Sequence, residues 1–259
     1  MANRDLLAET REFAQGGYRY IPAVFQYSSG VAALPGYDIE RVNLSEPVPL
    51  KQGFELIRDT IGAAGRPLTA FCACELRSPA PFTPQGFYEF NTIYVETLKA
   101  WGLYKGGKDD NPVARSNVCP EIDPPRMPSL QAFSFTVASK GVQPSCVIAG
   151  SGEARNEDGP YEKKTVRYGE TSGDAMREKT RFVVAEIGRR LKELGFGWRD
   201  VTATQVYTVY DFHGFFADEI VRAGAARHGV TWHYNRPPVD ALAFEMDCRA
   251  VNRERVIST

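Results

Sequence analysis

The sequence has no apolar run approaching the ~18 residues that a membrane-crossing helix needs, so no membrane partner is expected. Its first residues, Met1 to Arg11, carry acidic side chains and no apolar stretch. That pattern predicts neither a signal peptide nor a transit peptide, and the chain reads as cytoplasmic. Excess charge of one sign is also missing: 31 Lys and Arg stand against 32 Asp and Glu, for a formal net charge of −1. Without a basic field nothing global would hold a phosphate backbone, and nucleic acid is not expected as a partner. The densest basic cluster, Arg189, Arg190 and Lys192, is punctuated by Glu186 and Glu193 and reads as the solvated face of a helix.

Histidine is scarce, with 3 residues, and the 5 cysteines are odd in number in a chain too long to need disulfides. Cys72 and Cys74, two apart on a predicted strand, would point to one face. No second pair completes a tetrahedral set, so no metal is expected and the cysteines read as reduced packing residues. Nor is there a nucleophile elbow, a Ser-His-Asp order or a phosphate-cradling glycine loop, which argues against covalent and nucleotide chemistry. No cofactor is expected.

What is present is the composition of a protein that buries a core, 43% hydrophobic and 24% charged. Asp5 to Phe13 reads as a short helix. Tyr18 to Ile21 and Val24 to Ala32 read as short strands broken by Pro22 and Gly30. Leu34 to Pro49 reads as a loop. Phe54, Ile57, Ile61 and Ala64 recur at helical spacing, with Gly65 where the helix would stop. Leu68 to Leu76 reads as a buried strand, Pro84 to Trp101 as a helix, and Arg115 to Cys119 and Leu130 to Ala138 as two more strands.

The same order then begins again. Cys146 to Ala154 is a predicted strand with a Gly-Ser-Gly turn, followed by the polar loop Arg155 to Arg167. A helix is expected over Ser172 to Leu194, closed by Gly195 as Gly65 closes the first. Val201 to Tyr210 reads as a strand, Phe212 to Ala226 as a helix, and Val230 to Tyr234 with Leu242 to Ala250 as a strand pair. A period this long means duplicated domains, here residues 1–140 and 141–259, not a solenoid. The fold class is α/β (α+β), with mixed sheets and helices packed on one face.

Two segments tie this pattern to a known family. Val206-Tyr207-Thr208-Val209-Tyr210-Asp211, followed by Arg236-Pro237-Pro238-Val239-Asp240-Ala241-Leu242-Ala243-Phe244-Glu245-Met246-Asp247, resembles the C-terminal half of RidA/YjgF proteins. Asn111-Pro112-Val113-Ala114-Arg115-Ser116-Asn117-Val118 resembles the strand whose arginine binds a substrate carboxylate in that family. The resemblance implies two fused RidA/YjgF (chorismate mutase-like) units. It also implies trimeric assembly and a hydrolytic, cofactor-independent deaminase of the 2-aminomuconate or imino-acid kind, acting on a small carboxylate-bearing imine or enamine with water as nucleophile.

Neither half keeps the full pattern. The first keeps Arg115 but has Ser134 at the glutamate position; the second keeps Glu245 but has its arginine position near Gly229. The chain also resembles chorismatases, through Pro125-Arg126-Met127-Pro128-Ser129-Leu130 and Ala149-Gly150-Ser151-Gly152-Glu153-Ala154. That leaves hydrolysis of chorismate or a related enol ether as an alternative, and a non-catalytic metabolite-binding protein as another.

Glu245 is the candidate general acid–base. It alternates with apolar Phe244 and Met246, which places it beside Asp247 on the opposite face, where a like-charged neighbour raises its pKa. Arg115 and Arg126 are the candidate carboxylate anchors, since a guanidinium holds a planar carboxylate through two parallel hydrogen bonds. Tyr207, Thr231 and Ser29 are the further candidates for lining the pocket.

Overall fold

The computed structural model describes residues 9–141, 143–155, 157 and 159–259. The strands are β1 (Arg11–Phe13), β2 (Tyr18–Ile21), β3 (Gly30–Ala33), β4 (Tyr37–Pro49), β5 (Phe71–Arg77), β6 (Ala114–Pro120) and β7 (Ser129–Ala138). They continue as β8 (Cys146–Gly152), β9 (Ala203–Tyr207), β10 (Thr231–His233), β11 (Asn235–Arg236), β12 (Glu245–Ala250) and β13 (Arg253–Ile257). The helices are α1 (Leu50–Ala63), α2 (Pro84–Ala100), α3 (Tyr161–Lys164), α4 (Gly173–Glu193) and α5 (His213–Phe216).

Two mixed sheets result. One has seven strands in the order β1-β2-β3-β8-β12-β9-β10, the other six in the order β11-β6-β5-β7-β4-β13. Each draws strands from both ends of the chain. β3 pairs antiparallel with β8, carrying the N-terminal hairpin into the later sheet. β13 pairs parallel with β4, carrying the C-terminus back into the earlier one.

Three clusters of buried side chains hold the layers together. α4 lays Val183, Ile187 and Leu191 on the seven-stranded sheet, against Ile148, Val206 and Met246. α1 and α2 lay Ile57, Ile61, Tyr94 and Leu98 on the six-stranded sheet. Between the sheets lies a third cluster that includes Tyr18, Val31, Ile39, Ala73, Ala114 and Ala149. The helices therefore lie outside and the sheets face each other, the apolar stripe of each helix being buried by the sheet beneath it.

A polar seam crosses the same interface. Arg41 on β4 donates to both oxygens of Glu75 on β5, at 2.7 and 3.0 Å. Gln205 on β9 donates to Asp247 on β12 at 2.9 Å and lies 3.4 Å from Glu75. The arginines, Arg41 foremost, hold the Glu75 carboxyl far below the usual carboxylate range despite its burial.

Several expectations need correction. Residues 5–8 of the expected N-terminal helix lie outside the described residues, and Arg11–Phe13 forms a strand on β2, not a helix. The expected loop Leu34 to Pro49 is largely the long strand β4, whose Ile39, Val42 and Leu44 are buried. The prolines and glycine of the segment pointed to a loop, but the register with β7 shifts between Asn43 and Val48, and that irregularity accommodates Pro47, a residue with no N–H. The helix expected over Phe212 to Ala226 is the single turn α5 running into a wider π turn, Ala217–Val221. Cys72 and Cys74 do not share a face. A register shift between Phe71 and Ala73 sends Cys72 into the inter-sheet core and Cys74 beneath the helices, where its sulfur lies 3.4 Å from the Tyr94 hydroxyl. Among the described residues no helix is long and apolar enough to cross a membrane.

Candidate active site

β12 runs between β8 and β9, and its alternation separates two chemistries. Phe244, Met246 and Cys248 pack beneath α4, while Glu245 and Asp247 face the other sheet. Both carboxyls are buried, each with 4% of the residue exposed. Asp247 is engaged on several sides: Ser116 Oγ donates to it at 2.5 Å and Tyr207 Oη at 2.9 Å, besides Gln205. Glu245 lies directly over Gly150, where an added Cβ would stand 2.1 Å from Oε1. Only glycine at that point of β8 leaves room for the carboxyl.

Burial raises the Glu245 pKa well above the ordinary value, Asp247 and Glu153 raise it further, and Arg190 and Arg115 oppose them. Glu153 anchors the approach to β12. Its carboxylate accepts from the backbone N–H groups of Ala243 and Phe244, at 2.6 and 3.1 Å, and pairs with Lys179 of α4 at 3.0 Å. Neither partner of that ion pair reaches solvent, so the segment leading into Glu245 is fixed by charge as well as by packing.

Arg115 comes from β6, in the opposite sheet. β6 pairs with β11 only at its far end, through Cys119 and Pro120, so its outer edge at Arg115 faces β8 and β12 across a gap. The guanidinium sits in an aromatic box. Its Cζ lies 4.6 Å from the ring centre of Tyr94, 5.3 Å from Tyr27, 5.7 Å from Phe90 and 5.8 Å from Phe87. Nη1 and Nη2 are buried and have no hydrogen-bond acceptor among the described residues. A buried guanidinium with two idle donors is costly, and it is the arrangement a planar anion would satisfy.

Arg115 and Glu245 line one cavity of about 50 Å³, together with Tyr27, Phe87, Tyr161 and Leu242. It adjoins a larger one of about 190 Å³ that shares Tyr27, Phe87, Gly150, Tyr161 and Leu242 and adds Ser29, Lys164 and Arg190. The two are lobes of one space at the seam of the sheets.

Of the residues singled out in the sequence, the fold thus brings Glu245, Arg115 and Ser29 to this space. Ser29 is buried, with its backbone bonded to Ile21 and Ala149. Tyr207 is buried on the neighbouring strand, bonded to Asp247 and stacked on His233 at 5.1 Å, and lines neither lobe. Thr231 is exposed at the start of the edge strand β10. Arg126 is exposed on the connection between β6 and β7 and lines neither lobe.

Arg190 was overlooked. It is not on a solvated helix face: only 8% of it is exposed, and it opens onto the larger lobe. Its place seven residues after Val183 and three after Ile187, on the stripe α4 buries, was the signal.

Two mixed sheets with outer helices, joined around a guanidinium and a carboxyl, define the class of fold: α/β, with helices outside and the site at the seam between the sheets. A chorismatase crystal structure superimposes with a TM-score of 0.52 at 12% identity, covering 86% of this chain and 77% of that one, a likeness of fold alone. A YjgF/YER057c/UK114 family member from Mycobacterium tuberculosis covers 41% of this chain and 78% of its own, at 17% identity and a TM-score of 0.29. A 2-amino-5-chloromuconate deaminase of Comamonas testosteroni is 51% identical over 247 residues, 95% of this chain and 98% of that protein. The profile of the 2-aminomuconate deaminase CnbZ family matches residues 10–255, and the chain belongs to that family.

Proposed function

We propose that the protein is a hydrolytic deaminase of a 2-aminomuconate-type substrate, a carboxylate-bearing enamine or imine. The observation that carries this reading is the buried Arg115 guanidinium, with both Nη atoms unpaired, opening on the cavity that Glu245 also lines. Membership of the CnbZ family and 51% identity to a 2-amino-5-chloromuconate deaminase support the substrate class.

Arg115 takes the carboxylate next to the amino-bearing carbon in a bidentate grip, the aromatic box holding its plane. Glu245, whose pKa burial raises well above the ordinary value, gives its proton to the carbon end of the enamine, which becomes the iminium ion. The carboxylate left behind takes a proton from water as the oxygen bonds to the iminium carbon. Glu245 returns that proton to nitrogen, and as the C–N bond breaks it takes up the proton of the new hydroxyl, whose oxygen becomes the carbonyl. Ammonia leaves and a 2-oxo acid remains, so one water is consumed and Glu245 ends as it began.

Purified Glu245→Gln, checked for folding by circular dichroism, should release ammonia from 2-aminomuconate roughly 10²- to 10⁴-fold more slowly. Full turnover by the folded variant would remove Glu245 from the reaction. Chorismate serves as the second substrate, since pyruvate release would point to enol ether hydrolysis instead. Tight carboxylate binding with no turnover of either would point to a metabolite-binding protein.

The proposal extends to the whole chain. Its two units, divided near residue 140, interlock by exchanging end strands and share one working cavity. Three chains assemble through exposed surface such as the β10 edge, where Thr231, Trp232 and Tyr234 are exposed. Light scattering that finds only a 28.8 kDa species would refute the trimer. Five buried free thiols fit a reducing, cytoplasmic setting.

A further inference from the structure

Each of the two adjoining lobes is lined by cations of its own. In the inner lobe the cation is Arg115; in the outer lobe it is Arg190, with Lys164 and Arg155 beside it. Among the described residues lining the two lobes Glu245 is the one carboxyl, and burial raises its pKa well above the ordinary value. The lining therefore presents two guanidiniums, of which Arg190 is paired through Nε with Glu186 and Arg115 has both Nη atoms without an acceptor among the described residues. A monoanion would neutralise one guanidinium and leave the other facing an apolar end of its ligand.

We propose that Arg190, supported by Lys164, receives a second carboxylate at the far end of the substrate and so selects diacids over monoacids. The inference rests on the deaminase reading for the orientation of the substrate, with the reacting carbon between Arg115 and Glu245. The geometry of Arg190 supports it. Nε is held by Glu186 Oε1 at 2.9 Å, one turn back on α4, which fixes the plane of the guanidinium. Nη1 makes only long contacts, 3.3 Å to the Ala149 carbonyl and 3.5 Å to the Gly150 carbonyl, which leaves it able to donate to a better-placed acceptor in that plane.

Those two carbonyls belong to β8, the strand that also carries Gly150 beneath Glu245. The outer anchor and the acid are thus referenced to one strand, and a rigid diacid of the right length would be held at both ends with its middle over the carboxyl. Lys164 lies 4.6 Å from the centre of the Tyr161 ring, a wall common to both lobes, so its charge is delivered at the cavity rather than to open solvent.

The test uses two unreactive six-carbon ligands of like shape, muconate with two carboxylates and sorbate with one, titrated calorimetrically into the full-length protein. The native protein should bind muconate at least 10-fold more tightly than sorbate. Arg190→Gln should bring that ratio within about 3-fold while leaving sorbate affinity unchanged; Arg190→Lys should recover part of it. Lys164→Gln, at a half-buried side chain, should narrow the ratio by about 3- to 10-fold and decides the matter if Arg190→Gln does not fold.

A ratio that survives in the folded variants, or an equal weakening of both ligands, overturns the proposal. Because neither ligand is turned over, the result is independent of catalysis. A collapsed ratio with no deaminase activity would sink the proposed reaction and leave the anchor standing. Deamination with an undiminished ratio would do the reverse.

Discussion

Replacing Arg115 by methionine should make the protein more stable and less active at once. The side chain is buried, with 3% exposed, and two of its donors find no acceptor among the described residues. Each unsatisfied buried donor costs about 1–3 kcal/mol, so the pair costs roughly 2–6 kcal/mol. The surrounding rings return part of this, about 2 kcal/mol for a desolvated cation over an aromatic face, with Tyr94 nearest at 4.6 Å. Methionine matches the length of the side chain, gains sulfur–aromatic contacts in the same box and needs no acceptor. The balance favours the variant by up to about 4 kcal/mol, with the melting temperature rising about 2–4 °C for each kcal/mol in a chain of this size.

Catalysis should move the other way. Two charge-assisted hydrogen bonds to a substrate carboxylate contribute roughly 3–6 kcal/mol, so kcat/KM should fall by about 10²- to 10⁴-fold. Thermal unfolding without ligand and an ammonia-release assay read the two effects separately. A variant that melts lower yet keeps its turnover would make Arg115 a structural residue and refute the reasoning.

Gly150→Ala should push the Glu245 carboxyl aside, because the new methyl would fall 2.1 Å from Oε1. The expected result is a fall in kcat of at least about 10-fold and a stability loss of about 1–3 kcal/mol, read by kinetics and urea unfolding. Lys179→Met should cost about 3–5 kcal/mol in urea, since it strands the fully buried Glu153 carboxylate, and adding Glu153→Gln should restore part of the loss.

Glu245 and His233 should tilt the pH–stability profile in opposite senses. The folded protein retains the Glu245 proton after the unfolded chain has released it, so stability attributable to this group falls as pH rises above about 4.5; Glu245→Gln should lose less on the alkaline side. Burial lowers the His233 pKa to about 4, so the unfolded chain binds the proton first and stability falls as pH drops from 6.5 towards 4. His233→Gln should flatten that acid limb in pH-dependent chemical denaturation.

The order of strands and helices was largely legible because it rests on local periodicity. Phe54, Ile57 and Ile61 mark α1 by spacing alone, and Phe244–Glu245–Met246–Asp247 shows on paper which side chains turn toward the other sheet. Pairing between distant strands leaves no such trace. Nothing in Gly30–Ala33 names Cys146–Gly152 as its neighbour, and nothing in Arg253–Ile257 points to Tyr37–Pro49.

The prolines and glycine of residues 34–49 spoke against a strand that a register shift tolerates. Arg115 was legible through a resemblance; its aromatic box was not, because Phe87, Phe90 and Tyr94 look like any buried helix stripe until a cation is set among them. Arg190 was hidden by its neighbours. Flanking glutamates and a second arginine gave it the look of surface, although its helical phase was that of the core.

The exchange of end strands has a consequence for how such a molecule can be taken apart. A break in the chain near residue 140 would leave one fragment holding β1–β3 without the β8 edge they pair with, and the other holding β13 without β4. Arg115 would lie in the first fragment and Glu245 in the second. The pocket is in this sense a joint, which exists only while both pieces are clasped.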